Sequence, residues 1–326
     1  MVITFPDVSV VVVSFNVCGL LDQCLSSVLV TNESLDIEII VVDNASEDGT
    51  VSMVRNKYPE VKLIRNEDNR GFAEANNQGL AIAKGEYVFV LNPDTIVLPG
   101  AITRLVQFMK ETDDAGVVGP KLLNSDGSIQ SSCQSFPNLL NYAVFSFWSY
   151  RLLPTTKHPY RFALGLWNHS GTAEVDWVLG AAMMLRREVI QEVGGLDDDY
   201  FLYSEEKDWC FRIWQSGHKV YFLPEARVIH YGGQSATQTR RRSVRELYRS
   251  LMLFVEKHYS PSYANLLKSI LLAGIPLKLT FNLVRSFVFG NRRYQARSKT
   301  LGLLDVLVEY VFRPVPVSDT SAQESR

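Results

Sequence analysis

Five short stretches concentrate the side chains able to do chemistry. Glu205-Glu206-Lys207-Asp208, inside Tyr200 to Trp209, sets adjacent carboxylates at the start of a helical pattern. Acids there meet the positive end of the helix dipole, worth roughly 0.3–1 kcal/mol each. Alternatively one is a general base, its pKa raised where aromatic neighbours exclude water. Leu91-Asn92-Pro93-Asp94-Thr95 puts a carboxylate just beyond an apolar run. It reads either as a Pro-Asp turn or as an oxygen ligand for Mg2+ or Mn2+, hard cations for which one or two carboxylates suffice. Asp43-Asn44-Ala45-Ser46 ends another apolar run. These residues cap helices well, and Asp43 could equally accept hydrogen bonds from a nucleobase or ribose. In Asn69-Arg70-Gly71-Phe72, Gly71 permits tight backbone geometry at a helix start, where phosphate is favoured. Asn76 and Asn77 follow mid-helix, an unfavourable place for asparagine that suggests amides used for hydrogen bonding. His230-Tyr231-Gly232-Gly233-Gln234-Ser235 places a histidine before a double glycine. A lone histidine is usually structural, but a neutral imidazole there could complete a metal's coordination sphere.

The elements that must hold these groups follow from periodicity. Val8 to Phe15, Ile37 to Val42, Val61 to Ile64 and Tyr87 to Leu91 are short, apolar, β-branched runs, as expected of strands buried on both faces. Helical patterns lie between them at Leu20 to Val28, Gly49 to Tyr58 and Phe72 to Lys84, the last closing at Gly85. This alternation predicts an α/β fold with a mainly parallel sheet. Asn16, Asp43-Asn44 and Asn92-Pro93-Asp94 then fall at strand carboxyl ends, where open α/β sheets bind ligands. Further on, 124–173 is loop-rich, and Val175 to Leu185 reads as strand, turn and strand around Gly180-Ala181-Ala182. Glu205 to Gly217 reads as a helix, with Trp209, Ile213 and Trp214 offering an apolar face. Lys219 to Leu223 and Arg227 to His230 read as two short strands. Helices are expected at about 243–258, 262–288 and 298–312, with Pro276 splitting or kinking the second, and a disordered tail from Arg313.

Composition narrows the class. With 46% hydrophobic and 21% charged residues over 326, the chain buries a core, which excludes collagen-like, disulfide-scaffold and wholly disordered proteins. The net charge of −2 excludes a uniformly basic nucleic-acid binder, but residues 240–300 carry thirteen Lys/Arg against Glu246 and Glu256. Eight of them (Lys257, Lys268, Lys278, Arg285, Arg292, Arg293, Arg297 and Lys299) interleave with Leu, Ile and Phe and meet no acid. That pattern suits the surface of an anionic membrane, or a helical extension packed on the body. Cys18, Cys24, Cys133 and Cys210 form no zinc-type spacing and read as core thiols in a reducing compartment. No leader-like segment is expected at the start, and no helix long enough to span a bilayer.

Taken in order, these stretches resemble glycosyltransferase family 2, the inverting enzymes of the GT-A fold. They are Val10 to Asn16, Val41 to Ser46, Asn69 to Phe72 with Asn76-Asn77, Leu91 to Asp94, Gly180 to Met183, Phe201 to Arg212 and His230 to Gly233. The resemblance covers about residues 7–260 and is nearest to a rhamnosyltransferase-like branch that builds bacterial surface polysaccharides. It implies a Rossmann-like, mainly parallel sheet flanked by helices. The catalytic domain would be 1–240 (nucleotide-sugar half about 1–120, acceptor half about 121–240), with a basic helical extension at 241–312 and a tail at 313–326. It further implies that Asp43 sits on the nucleobase, and that Ser14, Asn16, Asn44, Asn69, Gly71, Asn76, Asn92 and Asp94 line the donor. Gly180, Ala181, Ala182 and Trp209 would face the acceptor. Asp94 matches the last acid of the family's metal-binding Asp-x-Asp motif, and His230 a downstream histidine that also meets the Mg2+ or Mn2+. Glu205-Glu206 matches a Glu-Asp pair whose second member is the base. Two departures stand out: Asn92 replaces the first acid of Asp-x-Asp, and Glu206 replaces the aspartate base, which leaves Glu205 as the other candidate.

The expected reaction is transfer of a sugar, best L-rhamnose from a dTDP-sugar, to a glycan or polyprenyl-linked acceptor. It would occur in the cytoplasm, or peripherally on the inner face of the plasma membrane through residues 262–312. A UDP-hexose donor and a non-catalytic nucleotide-sugar-binding scaffold are the alternatives. A nicotinamide enzyme is disfavoured, because the first strand leads to Ser14-Phe15-Asn16 and not to a glycine-rich phosphate turn. No nucleic-acid partner is expected.

Overall fold

The computed structural model describes residues 5–30, 35–147, 169–232, 240–288 and 293–312. The elements run β1 (Val8–Ser14), α1 (Cys18–Val30), β2 (Ile37–Asp43), α2 (Thr50–Lys57), β3 (Lys62–Arg65), α3 (Phe72–Ile82), β4 (Tyr87–Leu91), β5 (Thr95–Val97), α4 (Ala101–Glu111) and β6 (Ala115–Leu123). Then come β7 (Ile129–Gln130), β8 (Cys133–Gln134), α5 (Leu139–Phe147), β9 (Ala173–Val175), β10 (Trp177–Val178), β11 (Ala182–Arg186), α6 (Arg187–Val193), α7 (Glu205–Gln215) and β12 (Lys219–His230). Four C-terminal helices follow, α8 (Arg240–His258), α9 (Pro261–Ala273), α10 (Ile275–Val288) and α11 (Arg293–Leu307), ending in a π-helical turn, Val308–Phe312. The tail from Arg313, the Gly233-Gln234-Ser235 stretch and residues 148–168 lie outside the described residues.

The main sheet has the order β3-β2-β1-β4-β11-β6-β12-β5. β1 is buried along its whole length because parallel β2 and β4 flank it and helices cover both faces. Register sets the ligand edge: Ser14 lies opposite Asp43, Asp43 opposite Arg65, and Val12 opposite Leu91. Ser14, Asp43-Asn44 and Asn92 therefore emerge side by side. The chain runs from β1 outward to β2 and β3 and returns beyond β1 as β4, so a topological switch point lies between β1 and β4.

The second half departs from simple alternation. β11 inserts antiparallel between β4 and β6, and β5 pairs antiparallel with β12. The two short strands expected at 219–230 are one strand with a register shift between Leu223 and Arg227, where Pro224 withholds a ladder donor. The region 95–123, left without elements by the sequence reading, holds β5, α4 and β6. In α4, Ile102, Leu105, Val106 and Met109 form a buried helical stripe. β6 contains Gly119-Pro120, a turn-like pair that here lets the side chain of Val178 approach the strand closely.

α8 to α11 pack on the body and do not project from it. A single apolar cluster joins Tyr200 and Phe211 to Phe254, Val255, Leu267, Leu271 and Val306. The second helical pattern is split at Gly274, just before Pro276. Contrary to the sequence reading, Pro261–Asn282 is long and apolar enough to cross a membrane by length and composition, with mean hydropathy 1.3 and 33% of it buried. Its lysines are few and spaced, and Lys278 is buried with its ammonium on Tyr248 Oη at 3.1 Å.

Candidate active site

The nucleotide side is built by the turns after β1, β2 and β3. Asn16 and Ala45 adopt left-handed backbone, with φ of 53° and 65°. Such conformations cost roughly 1–3 kcal/mol and collect at functional sites. Asp43 divides its roles. Oδ2 accepts the Ser46 amide at 3.0 Å, the capping geometry, while Oδ1 is buried without a partner among the described residues. Ser14 Oγ, Asn76 Oδ1 and Asn92 Oδ1 are likewise buried and unpartnered. An unpaired buried polar atom costs about 1–3 kcal/mol, so such a row at one sheet edge is what a site awaiting a polar ligand requires.

Two of the expected donor contacts have other duties. Asn44 spends its whole amide inside the protein: Nδ2 donates to the Gly71 carbonyl at 2.9 Å, and Oδ1 accepts from Asn66 at 2.8 Å. Asn69 Oδ1 accepts the Gly71 amide at 3.0 Å. Both asparagines thus hold the Gly71 turn, the two Nδ2 hydrogens of Asn44 going to the Gly71 carbonyl and to Asn69 Oδ1. Gly71 has φ +85°, and a Cβ there would stand 3.3 Å from Phe201, so glycine is needed for the donor turn to meet the 201–204 loop. Asn16 is exposed, its Oδ1 accepting the Glu47 amide. Asn77 fastens that second loop from α3, exchanging hydrogen bonds with the Leu196 backbone at 2.7 and 2.9 Å.

Asp94 and His230 meet because Thr95 of β5 pairs with His230 of β12. His230 Nε2 lies 3.4 Å from Asp94 Oδ1. Gln130, which the sequence reading passed over, orients the ring. Its Nε2 donates to Asn124 Oδ1 at 3.1 Å, so its Oε1 is the atom facing His230 Nδ1 at 2.6 Å. Nδ1 then donates to Gln130 and Nε2 is the ring nitrogen toward Asp94, the orientation of a metal-ligating histidine with its supporting hydrogen bond. These donors fit a hard divalent cation. Among the described residues no cluster of three or more His, Cys, Asp or Glu could hold one, so its remaining ligands would be substrate oxygens and water.

Glu205 and Glu206 open α7 after two consecutive left-handed residues, Tyr203 and Ser204, each at φ 69°. Both carboxylates are buried, each with Oε2 unpartnered among the described residues. Burial pushes Glu205 well above the ordinary value, and the charge of Glu206 adds to the effect. Burial also raises Glu206, while Lys207 and backbone amides, including that of Gly180, pull it back. A Cβ on Gly180 would lie 3.3 Å from Glu206 Cβ, so the glycine lets the Glu206 side chain pack closely against this turn.

One backbone junction links the Asp94–His230 pair to the acid pair. Ala182 pairs with Leu91, and the Asn92 amide donates to Ala181 O at 2.9 Å. Asp94 is two residues beyond Asn92, and Gly180, against Glu206, is one residue from Ala181. Gly180, Ala181 and Ala182 are buried beneath this junction. Trp209 is not part of it: fully buried, with Nε1 on Gly194 O at 2.8 Å, it is a core residue with no face toward an acceptor. Asp208 is held below the usual carboxylate range against the desolvation of burial by hydrogen bonds from His258 and Arg212. Arg212 also binds the carbonyls of Val193 and Gly195. This network, also unseen in the sequence, sets α7 and its loop. Cys24, Cys133 and Cys210 are buried thiols, as expected, whereas Cys18 is partly exposed at the start of α1.

A Rossmann-like sheet with antiparallel additions, its polar crevice at the switch point and a carboxylate pair across from it, is the architecture of a GT-A glycosyltransferase. The family model described as glycosyl transferase family 2 matches residues 9–194, and the chain belongs to that family. It is 27% identical over 299 residues to the N-acetylglucosaminyl-diphospho-decaprenol L-rhamnosyltransferase of Mycobacterium tuberculosis, covering 87% of this chain and 95% of the relative. It is 28% identical over 170 residues to rhamnosyltransferase WbbL of Escherichia coli, covering 49% and 61%. In fold it is similar to the mannosyltransferase PcManGT of Pyrobaculum calidifontis, solved with GDP-Man and Mn2+, with TM-score 0.55 and 18% identity over 94% of this chain and 88% of that one.

Proposed function

We propose that this glycosyltransferase moves L-rhamnose from a dTDP-sugar to a sugar carried on a polyprenyl diphosphate, with inversion at the anomeric carbon. The observation that carries the reaction is the Asn92–Ala181 junction, which links Asp94 and His230 on one side to Glu206, against Gly180, on the other. The likeness to the mycobacterial relative over nearly its whole length supports the choice of sugar and acceptor. In this reading Asp43, Ser14, Asn76 and Asn92 bind the donor through their unpaired oxygens. Asp94 and His230 hold a divalent cation, which when bound offsets negative charge on the diphosphate. Glu206 takes the proton of the acceptor hydroxyl as that oxygen attacks from the opposite face. Residues 1–240 carry this chemistry, and the helical extension sits beside the acceptor.

Thermal-shift measurements with nucleotide sugars and Mg2+ or Mn2+ test the donor. dTDP-L-rhamnose is expected to raise Tm by several degrees at saturating concentration and UDP- or GDP-hexoses by less. A larger shift with a UDP-sugar reassigns the donor.

We also place the protein in the cytoplasm with its extension against the membrane. Support comes from the exposed Leu266, Leu277, Leu301 and Leu304. The basic residues contribute less than their number suggests: Lys257 pairs with Asp197 and Asp199, and Lys268 with Glu256. Substituting the four leucines by glutamine is expected to reduce pelleting with phosphatidylglycerol vesicles. Equal pelleting of variant and wild type ends the idea.

A further inference from the structure

Lys207 is an anomaly that the reaction as described does not use. It follows two buried carboxylates and is itself buried. Its ammonium lies 4.8 Å from the ring centre of Trp177 in β10 and 5.7 Å from that of Phe254 in α8, with Ser204 Oγ at 3.3 Å. Taking a lysine out of water for one weak hydrogen bond and two aromatic faces is unfavourable unless nearby negative charge compensates.

The compensating charge is local. On α7 the charged chain neighbours of Lys207 are Glu205 and Glu206, buried with it in the first turn of the helix. Cys210, one turn on, is a neutral thiol pushed up to about 12 by burial. Asp208 is already neutralised by Arg212 and His258. From β10 and α8, among the described residues, the rings of Trp177 and Phe254 meet it. One ammonium therefore serves two carboxylates, and the run Glu205-Glu206-Lys207 is nearest neutrality with one carboxylate ionised and one protonated.

We propose that Lys207 is a positioning residue for the base: clamped between Trp177 and Phe254, its ammonium keeps Glu206 charged in a dry site while Glu205 holds its proton. The extension then completes the active site, since Phe254 belongs to α8 and the wall behind it is Phe136, Phe211 and His258. This inference rests on Glu206 being the base. It adds that the lysine, and through it α8, sets the pH at which the base works.

The test follows the carboxyl 13C resonance of Glu206 in the full-length protein, assigned by its loss in Glu206→Gln, and needs no substrate. In Lys207→Met, which keeps the side chain's length, the titration midpoint is expected to rise by at least about one pH unit. Tm is expected to fall, because the charge on Glu206 is left without its partner until the carboxylate takes up a proton. Phe254→Leu should move the midpoint the same way by less. In the wild type, the Lys207 15Nζ resonance should titrate near 8, well under its ordinary 10.5, because burial disfavours the charge. Transfer from dTDP-L-rhamnose to a short-chain alkyl diphosphate-linked N-acetylglucosamine should fall in Lys207→Met at neutral pH and recover as pH rises. An unchanged Glu206 midpoint, or a Lys207 midpoint at 10.5, overturns the proposal while the base assignment stands. Near-normal turnover by Glu206→Gln removes both.

Discussion

Glu206→Gln lowers turnover by about 10²- to 10⁴-fold, the range that general-base assistance supplies, and leaves donor affinity unchanged. The amide fills the same space beside Gly180 but accepts no proton. The sign of the pH dependence follows from burial. The base works ionised, so wild-type activity rises with pH through a midpoint above the ordinary glutamate value of 4.5, because burial disfavours the charged form. The variant's residual rate loses that limb. Glu205→Gln is the internal control: burial and its neighbour's charge raise Glu205 well above the ordinary value, so replacing it by a neutral amide should cost much less. Single-turnover kinetics with the donor saturating give the answer. If the larger loss falls on Glu205→Gln, the two carboxylates exchange roles.

Asp94→Ala abolishes the cation dependence of nucleotide binding, with a loss of more than about 100-fold in Mn2+ affinity in the presence of dTDP. Asp94 carries the one negative charge facing His230 Nε2 at this corner, because Asn92 stands where a second acid would be. Gln130→Ala should give a graded version, roughly 10- to 100-fold, by freeing the imidazole to rotate and change tautomer. Both are read by Mn2+ titration with calorimetry or electron paramagnetic resonance, independently of turnover. Titration curves that superimpose on the wild type for Asp94→Ala would make the Asp94–His230 pair an ordinary ion pair in a turn.

Much of the donor side was legible in advance, for a local reason. Buried β-branched runs at Val8–Ser14, Ile37–Asp43 and Tyr87–Leu91 declare parallel strands, and a parallel sheet places all its carboxyl ends at one edge. Ser14, Asp43 and Asn92 could therefore be assigned to one crevice without knowing a single contact. The acid pair was legible as a pair, but which member ionises was not, because that depends on how deeply each is buried and on Lys207 beside them.

What stayed hidden depends on partners distant in the chain. Trp209 looked available on a helical face, and the fold sends Trp209 and Ile213 into the core beneath β10 and β11 while Trp214 stays exposed. Asn44 looked like a ligand contact, and its amide is spent on a loop more than twenty residues away. β5 and β6 were missed because a three-residue strand and one interrupted by Gly119-Pro120 have no alternating signal of their own. They exist through pairing with β12. Chain-local chemistry thus dictated which elements form and which side chains end them. The union of Asp94 with His230, the support from Gln130, and the clamp of Phe254 on Lys207 were decided by sheet order and helix docking. Hydrophobic burial rewards any apolar face that is covered, whatever its position along the chain, so periodicity names the face but not the partner that covers it.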